Sequence, residues 1–434
     1  MYAFLVDFVN FMRTGHVRYF LLFFVIIWIR WFIVNIPALL YRPAVTKHRA
    51  RKSVIIPVVD EAPEVFRAVL KSIQRQRPQE TIVVINGPKN RTLEKVCDEF
   101  KGITRRWTRK PGKRNAIKLG MRYATGDIIV LVDSDTIWEK HMLRELVKPF
   151  ADPNVGGVTT RQRITNPTQS LLTRVCDWLE DVRTHGTMQA MSVTEKVGCL
   201  PGRTIAFRAD VLRSVLREFM RETFLGFHKE VSDDRSLTNL TLQAGYKTVL
   251  QSTAVVYTEA PTHWKKFLRQ QLRWSEGSQY NNIRMSRWML KNARLMFFIY
   301  WTDMLVPFLL WGVYGSYLIN YLFFHTRLDA DLLLSNHNLF IIIAVTFGGA
   351  YISYAMRQLP AINERLSHML FLPFYLLFLS FVMAPIRMIG FARLADDLGW
   401  GTRGGGYTGG KSSKKPKIKL NLRLRRLLPE GAHA

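Results

Sequence analysis

The sequence predicts an α/β domain with a mostly parallel sheet, joined to apolar helices, and three observations carry that expectation. From about residue 52 to residue 291, short apolar β-branched runs alternate with stretches of helical periodicity. Outside that region, apolar residues concentrate in runs at 19–40, 296–324, 338–356 and 366–389, each about long enough to cross or enter a bilayer. Basic residues then cluster beside those runs, as they do next to the cytoplasmic ends of membrane helices.

At 434 residues the chain has room for one large domain plus extra segments. Apolar residues make up 48% alongside 22% charged ones, a mixture explained by segregation. Residues 53–59 read as a strand, 64–74 as a helix and 81–85 as a strand; 114–123 then read as a helix and 127–132 as a strand. Such a βαβ order implies a parallel, doubly wound sheet with ligands at the carboxyl ends of its strands. Neither a G-x-G-x-x-G nor a Walker A pattern occurs, which argues against dinucleotide and ATP binding.

The formal net charge is +29. Arg42, Lys47, Arg49, Arg51 and Lys52 follow the first apolar run, and eight Lys and Arg stand between 411 and 426 with no acid among them. These positions suit positive-inside topology and anionic lipid; no nucleic-acid motif is present. Cys97, Cys176 and Cys199 are odd in number and not spaced for metal, so they read as reduced thiols. The first apolar run contains Arg30 and lacks a small-x-small site, unlike a cleaved signal.

Charge bias sets the expected layout. Residues 1–14 form an amphipathic interfacial helix, 15–41 a transmembrane helix, and 52–260 the cytosolic domain. Interfacial helices occupy 261–293, and transmembrane helices 294–324 and 338–356. A fourth span would carry the basic tail outside, and Pro373 and Pro385 interrupt 366–392, so that segment is expected to be interfacial or re-entrant. A loop at 398–410 and a basic cytosolic tail at 411–434 complete the chain. Arg30, beside Trp28 and Trp31, either snorkels to the headgroups or has a function within the membrane.

Seven motifs carry chemistry. Gln270, Arg273 and Trp274 read Q-x-x-R-W on a helix, so amide, guanidinium and indole share one face. That face can hold a leaving diphosphate and stack a sugar ring. Asp133 and Asp135 end a strand in D-x-D, able to hold a hard divalent ion or simply to cap a loop. Asp60 and Glu61 follow the first strand; each can accept a uracil N–H or a ribose hydroxyl, or cap the next helix. Lys113 and Arg114 open a helix after Pro111-Gly112, where paired cations and free N–H groups suit a diphosphate or form a merely solvated basic turn. Asp233 and Asp234 are adjacent acids before another helix; their repulsion tends to raise one pKa and fit it for taking a proton, or they simply cap that helix. Val197 to Arg203 is a Gly/Pro turn that can floor a pocket. Trp400, Thr402 and Arg403 sit in a glycine-rich loop suited to a mobile gate.

In order, V-I-I-P…D-E, G-K-R, D-S-D, S-D-D-R-S-L-T-N, Q-Q-L-R-W and D-D-L-G-W-G-T-R span residues 54 to 403. This set resembles the membrane-embedded processive family-2 glycosyltransferases. W-G-T-R and the acidic pair before R-x-L-T-N point to the hyaluronan synthase type. I-N-G-P-K-N, V-G-C-L-P-G-R-T-I-A-F-R and S-D-D-R-S-L-T-N-L-T-L are further similar to type 3 capsular polysaccharide synthases, which join glucose and glucuronate from UDP-sugars. The resemblance implies a glycosyltransferase A-type, Rossmann-like fold, a multi-pass place in the cell membrane with the catalytic domain cytoplasmic, and a polysaccharide acceptor.

By the same resemblance, Asp60 recognises uridine, Lys113 and Arg114 contact the diphosphate, and Asp133 and Asp135 bind the sugar nucleotide with Mg²⁺ or Mn²⁺. Asp234 is the general base. Gln270, Arg273 and Trp274 line the acceptor end and the leaving group, and the loop of Trp400 and Arg403 closes over UDP. Two features depart from the pattern. Asn86 replaces a second acid after the second strand, though its oxygen can still accept the uracil N–H. One span precedes the catalytic domain where hyaluronan synthases carry two, so a channel has fewer walls or draws on a second subunit in a homo-oligomer.

Overall fold

In the computed structural model, residues 22–228, 230–323 and 351–394 are described. Segments expected at 1–14, 398–410 and 411–434, and most of the span at 338–356, lie outside them.

Ten strands form among the described residues: β1 (Lys52–Val58), β2 (Glu80–Asn86), β3 (Ile103–Thr108), β4 (Ile128–Val132), β5 (Ile137–Trp138), β6 (Val155–Ile164), β7 (Thr204–Arg208), β8 (Thr223–Phe224), β9 (Phe227–His228) and β10 (Lys247–Thr258). Eight make one sheet in the order β3-β2-β1-β4-β7-β6-β10-β5, and β8 and β9 pair as a small ribbon. Neighbours from β3 to β4 are parallel, as are β6 and β10. The sheet is mostly parallel, as expected, and the parallel order is interrupted at β7, which runs antiparallel to both β4 and β6. Its chain enters at the end where β4 finishes, with the Asp133 N–H donating to the Arg203 carbonyl at 3.1 Å. A strand that starts there can only run back.

Buried strands read as continuous apolar runs because both faces are covered. Ile55, Ile82, Val84, Ile129 and Leu131 face a layer containing Ala116 and Ile117. Val54, Ile56, Val83, Ile85 and Val130 face the opposite layer, with Phe66, Val69 and Leu70. The helix α1 is Leu22–Leu40; α2 (Pro63–Gln74) and α3 (Lys113–Met121) follow β1 and β3. Further on lie α4 (Leu171–Val182), α5 (Asp233–Gln243), α6 (Trp264–Asn292), α7 (Arg294–Phe323) and α8 (Leu359–Glu364). The last described helix, α9, spans His368–Ala392.

Among the described residues, three helices are long and apolar enough to cross a membrane: α1, α7 over Arg294–Ser316, and α9. Leu39 and Leu40 on α1 and Leu370 on α9 are exposed, a pattern that needs no protein partner where lipid tails cover it. Pro373 and Pro385 do not interrupt α9, contrary to the break expected there. A π turn at Leu379–Met383 lies between the prolines, and local loosening of this kind accommodates the missing N–H groups. Arg30 has a partner: its Nη2 donates to Asp303 Oδ1 at 2.6 Å, joining α1 to α7. Arg387 of α9 donates to the Asp303 carbonyl at 3.1 Å.

Helix α6, which carries Q-x-x-R-W, is 29 residues long. It lies between the sheet domain and α9 with unusually close contacts. A Cβ on Gly277 would stand 2.5 Å from Ser232 Cβ, and one on Gly390 would strike the Ser275 hydroxyl. Only glycine lets these backbones approach so closely.

Candidate functional site

The site gathers where β1, β2 and β4 end. Gly112 has φ of +102°, a conformation open to glycine, and its carbonyl accepts from Asn86 Nδ2 at 3.3 Å. This contact joins the end of β2 to the start of α3. Asn86 Oδ1 is buried without a hydrogen-bond partner, a polar acceptor still to be satisfied.

Lys113 opens α3 and donates from Nζ to Asp133 Oδ1 at 2.5 Å. Burial alone would lower its pKa; Asp133, and further off Asp233 and Asp234, outweigh that effect and hold it above the usual lysine value. Asp234 reaches the same place from α5. Its Oδ2 accepts the Gly202 N–H at 3.0 Å and its Oδ1 accepts the Arg235 N–H at 2.9 Å. The turn of 197–203 comes close to both groups, since a Cβ on Gly202 would lie 3.2 Å from Lys113 Nζ and 3.4 Å from Asp234 Cβ.

Arg273 closes another side. Its Nε is buried with no hydrogen-bond partner. Burial lowers its pKa against the pull of Asp234, Asp133 and Asp233, so an unspent donor stands near three carboxylates. Trp274 next to it is 37% exposed, and Gln270 is half-buried. Glu61 Oε2 accepts from Ser134 Oγ at 3.0 Å, tying the end of β1 to D-S-D. Asp60 is exposed and Asp135 half-buried at those strand ends. Side-chain capping is absent at Ala62 and at Ser232, so the acids at 60–61 and 233–234 are not N-caps.

Two expectations are corrected. Arg114 is 1% exposed and does not face a diphosphate. Its Nε donates to Asp233 Oδ1 at 2.6 Å, Nη2 to Glu222 Oε2 at 2.9 Å and Nη1 to the Phe219 carbonyl at 2.5 Å. Asp233 is 5% exposed, and burial, partly offset by Arg114, raises its pKa. The cause is helical geometry. Consecutive residues leave a helix about 100° apart, so Lys113 faces the site while Arg114 faces the core, and Asp234 and Asp233 divide in the same way. Glu222 is the participant that motif spacing missed; it has no local signal, because it arrives by tertiary contact. Trp400, Thr402 and Arg403 lie outside the described residues.

The thiols of Cys97, Cys176 and Cys199 are unpaired with one another, and burial pushes each up to about 12. They are inert at neutral pH.

Residues 50–277 match the family described as "Glycosyltransferase like family 2". An N-acetylglucosaminyltransferase of Azorhizobium caulinodans is 33% identical over 250 residues, which are 56% of this chain and 63% of that protein. The match thus covers under two thirds of that relative. The hyaluronan synthase of Streptococcus pyogenes is 27% identical over 376 residues, 84% of this chain and 86% of the relative. Among solved structures, a mannosyltransferase of Pyrobaculum calidifontis, in complex with GDP-Man and Mn²⁺, aligns over 82% of this chain and 99% of its own. The TM-score is 0.56 at 18% identity, a likeness of fold.

Proposed function

This chain belongs to the family 2 glycosyltransferases, and on that premise we propose that it is a processive, inverting polysaccharide synthase that uses UDP-sugar donors. The observation that carries this reading is the convergence of Lys113, Asp133, Asp234 and Arg273 beside Trp274, on a helix packed against α9. Donor, base and acceptor platform then share one space next to apolar helices.

In the proposed reaction, the acceptor hydroxyl oxygen bonds to the anomeric carbon as the bond to the diphosphate oxygen breaks. UDP leaves with that electron pair, and the hydroxyl proton passes to Asp234. The carboxylate is half-buried, oriented by two backbone N–H groups, and open enough to meet a sugar. Lys113 and Arg273 put positive charge where the diphosphate gains negative charge. Asn86 Oδ1 and Asp60 offer acceptors for the nucleoside. The oxygen-only donor set of Asp133 and Asp135 fits Mg²⁺ or Mn²⁺, although Lys113 already holds one oxygen of Asp133. When bound there, such an ion neutralises diphosphate charge.

For the sugars, the capsular-type motifs favour glucose with glucuronate. A second reading, N-acetylglucosamine with glucuronate as in a hyaluronan synthase, is favoured by the names of the two relatives above. Non-processive transfer to a lipid-linked acceptor is the remaining rival, because it needs the same base and D-x-D. The cytoplasmic placement of the domain and passage of the polymer between the apolar helices belong to the proposal as well. Membranes supplied with radiolabelled UDP-glucose, UDP-N-acetylglucosamine and UDP-glucuronate, singly and in pairs, test it by product size on a gel. Long polymer from one pair supports the synthase and identifies its sugars; UDP release with only single-sugar products overturns processivity.

A further inference from the structure

Away from the catalytic space, Asp177 and Asp181 stand one turn apart on α4 and share a face. His368, the first residue of α9, meets that face and is 0% exposed. Its Nδ1 pairs with the Tyr375 hydroxyl at 2.8 Å. Tyr375 is itself stacked on Trp178 of α4, with ring centres 4.3 Å apart and planes 11° from parallel. The imidazole is thereby held in one orientation, as the outer partner of a metal-bound histidine holds its ring.

The other ring nitrogen, Nε2, is buried and has no hydrogen-bond partner. It lies 3.9 Å from Asp177 Oδ2 and 3.8 Å from Asp181 Oδ2. Both gaps are too wide for a hydrogen bond. One ion can close them: two metal–ligand bonds of about 2.1 Å span more than either gap. A ligand atom from each of the three residues lies within 4.8 Å of the others, so small side-chain rotations bring all three onto one cation. Access exists, because both carboxylates line a cavity of about 120 Å³. Arg365 Nε is 3.1 Å from Asp177 Oδ2 on the cavity side, where its 36% exposed side chain can withdraw.

A neighbouring trio of Asp181, His185 and Glu364 also has ligand-like spacing. Its Glu364 is already gripped by Arg161 at 2.5 Å and Arg163 at 2.6 Å, so protein cations occupy that position. At the first trio, the unsatisfied atom is an imidazole nitrogen, which selects zinc-like ions over Mg²⁺.

We propose that Asp177, Asp181 and His368 form a divalent-cation site of the zinc class, separate from D-x-D, that fastens the start of α9 to α4. A water completes the tetrahedron from the cavity. The test uses the full chain purified in detergent, stripped with a chelator, and titrated with Co²⁺ by absorbance and with Zn²⁺ by elemental analysis. One Zn²⁺ per chain is expected, with a tetrahedral Co²⁺ spectrum. Affinity should fall at least tenfold in both His368→Gln and Asp181→Asn and stay unchanged in Asp133→Asn. Size-exclusion profiles identify folded variants, and Asp181→Asn, which leaves the Tyr375 contact intact, carries the test should His368→Gln misfold. Failure of the stripped wild type to take up stoichiometric zinc, or full affinity in either folded variant, overturns the site.

Discussion

Arg114 Nε and Asp233 Oδ1 form an ion pair 2.6 Å long, with side chains 1% and 4% exposed, between the first turns of α3 and α5. Their sequence neighbours Lys113 and Asp234 face the catalytic space instead. Each two-residue motif therefore splits into one member buried in a pair that joins the two helices and one that faces the candidate site. Arg114→Lys keeps the charge but loses the fork that serves Asp233, Glu222 and the Phe219 carbonyl together. Breaking such a buried network costs about 3–5 kcal/mol. We expect a large drop in melting temperature with UDP affinity per folded molecule little changed. Weakened UDP binding at full stability would return Arg114 to the nucleotide site.

Asp234→Asn should keep the fold, since an amide oxygen can still accept one of the two backbone N–H groups. Removal of a general base lowers turnover by roughly 10²–10⁴-fold. Donor binding, read by calorimetry, should survive while polymer formation stops. Wild-type turnover in this variant removes the base assignment.

Gly202→Ala tests how closely the cation and the base approach that turn. The added methyl would meet Lys113 Nζ at 3.2 Å and Asp234 Cβ at 3.4 Å. Displacement of either group by a fraction of an ångström should lower kcat between roughly tenfold and a hundredfold. Thermal stability should hardly move, because Lys113 can yield at its flexible end.

Loss of the Trp274 ring should shorten the product more than it weakens UDP binding. The indole is 37% exposed beside Arg273 and offers a flat apolar surface to a sugar. Gel sizing of polymer from Trp274→Ala and Trp274→Phe separates the cases: Phe should restore most of the length. Equal loss of donor affinity in both variants would place the ring at the nucleotide.

Arg30 and Asp303 pair at 2.6 Å between α1 and α7, both partly exposed. In lipid each charge depends on the other, so Arg30→Gln and Asp303→Asn should each lower heat resistance in membranes. A double-mutant cycle should return a coupling of roughly 1 kcal/mol. Additive effects would mean that the contact is incidental.

Much of the fold was legible because burial leaves a local trace. The apolar runs that became β1, β2 and β4 are covered on both faces, and their alternation with α2 and α3 announced parallel pairing. By contrast, β3 reads I-T-R-R-W-T and is only half-buried along most of its length, so its sequence carries no strand pattern. The antiparallel insertion of β7 had no signal either, since strand direction depends on where the preceding turn leaves the chain. At the site, Lys113, Asp133, Asp234 and Arg273 were legible as residue types suited to diphosphate and proton chemistry. Their assembly around Gly202 was not.

By itself, the sequence determined the α/β pattern, the apolar helices and the set of acids and cations available for transfer chemistry. Those properties follow from periodicity, composition and short-range spacing. Tertiary structure alone decided which of Lys113 and Arg114, and which of Asp233 and Asp234, is buried in the core and which faces the candidate site. It also gave Arg30 a partner 273 residues away and carried α9 through its two prolines. The physical reason is common to all of these: a charge or a missing N–H is tolerated or costly according to its surroundings, and those come from parts of the chain far off in sequence.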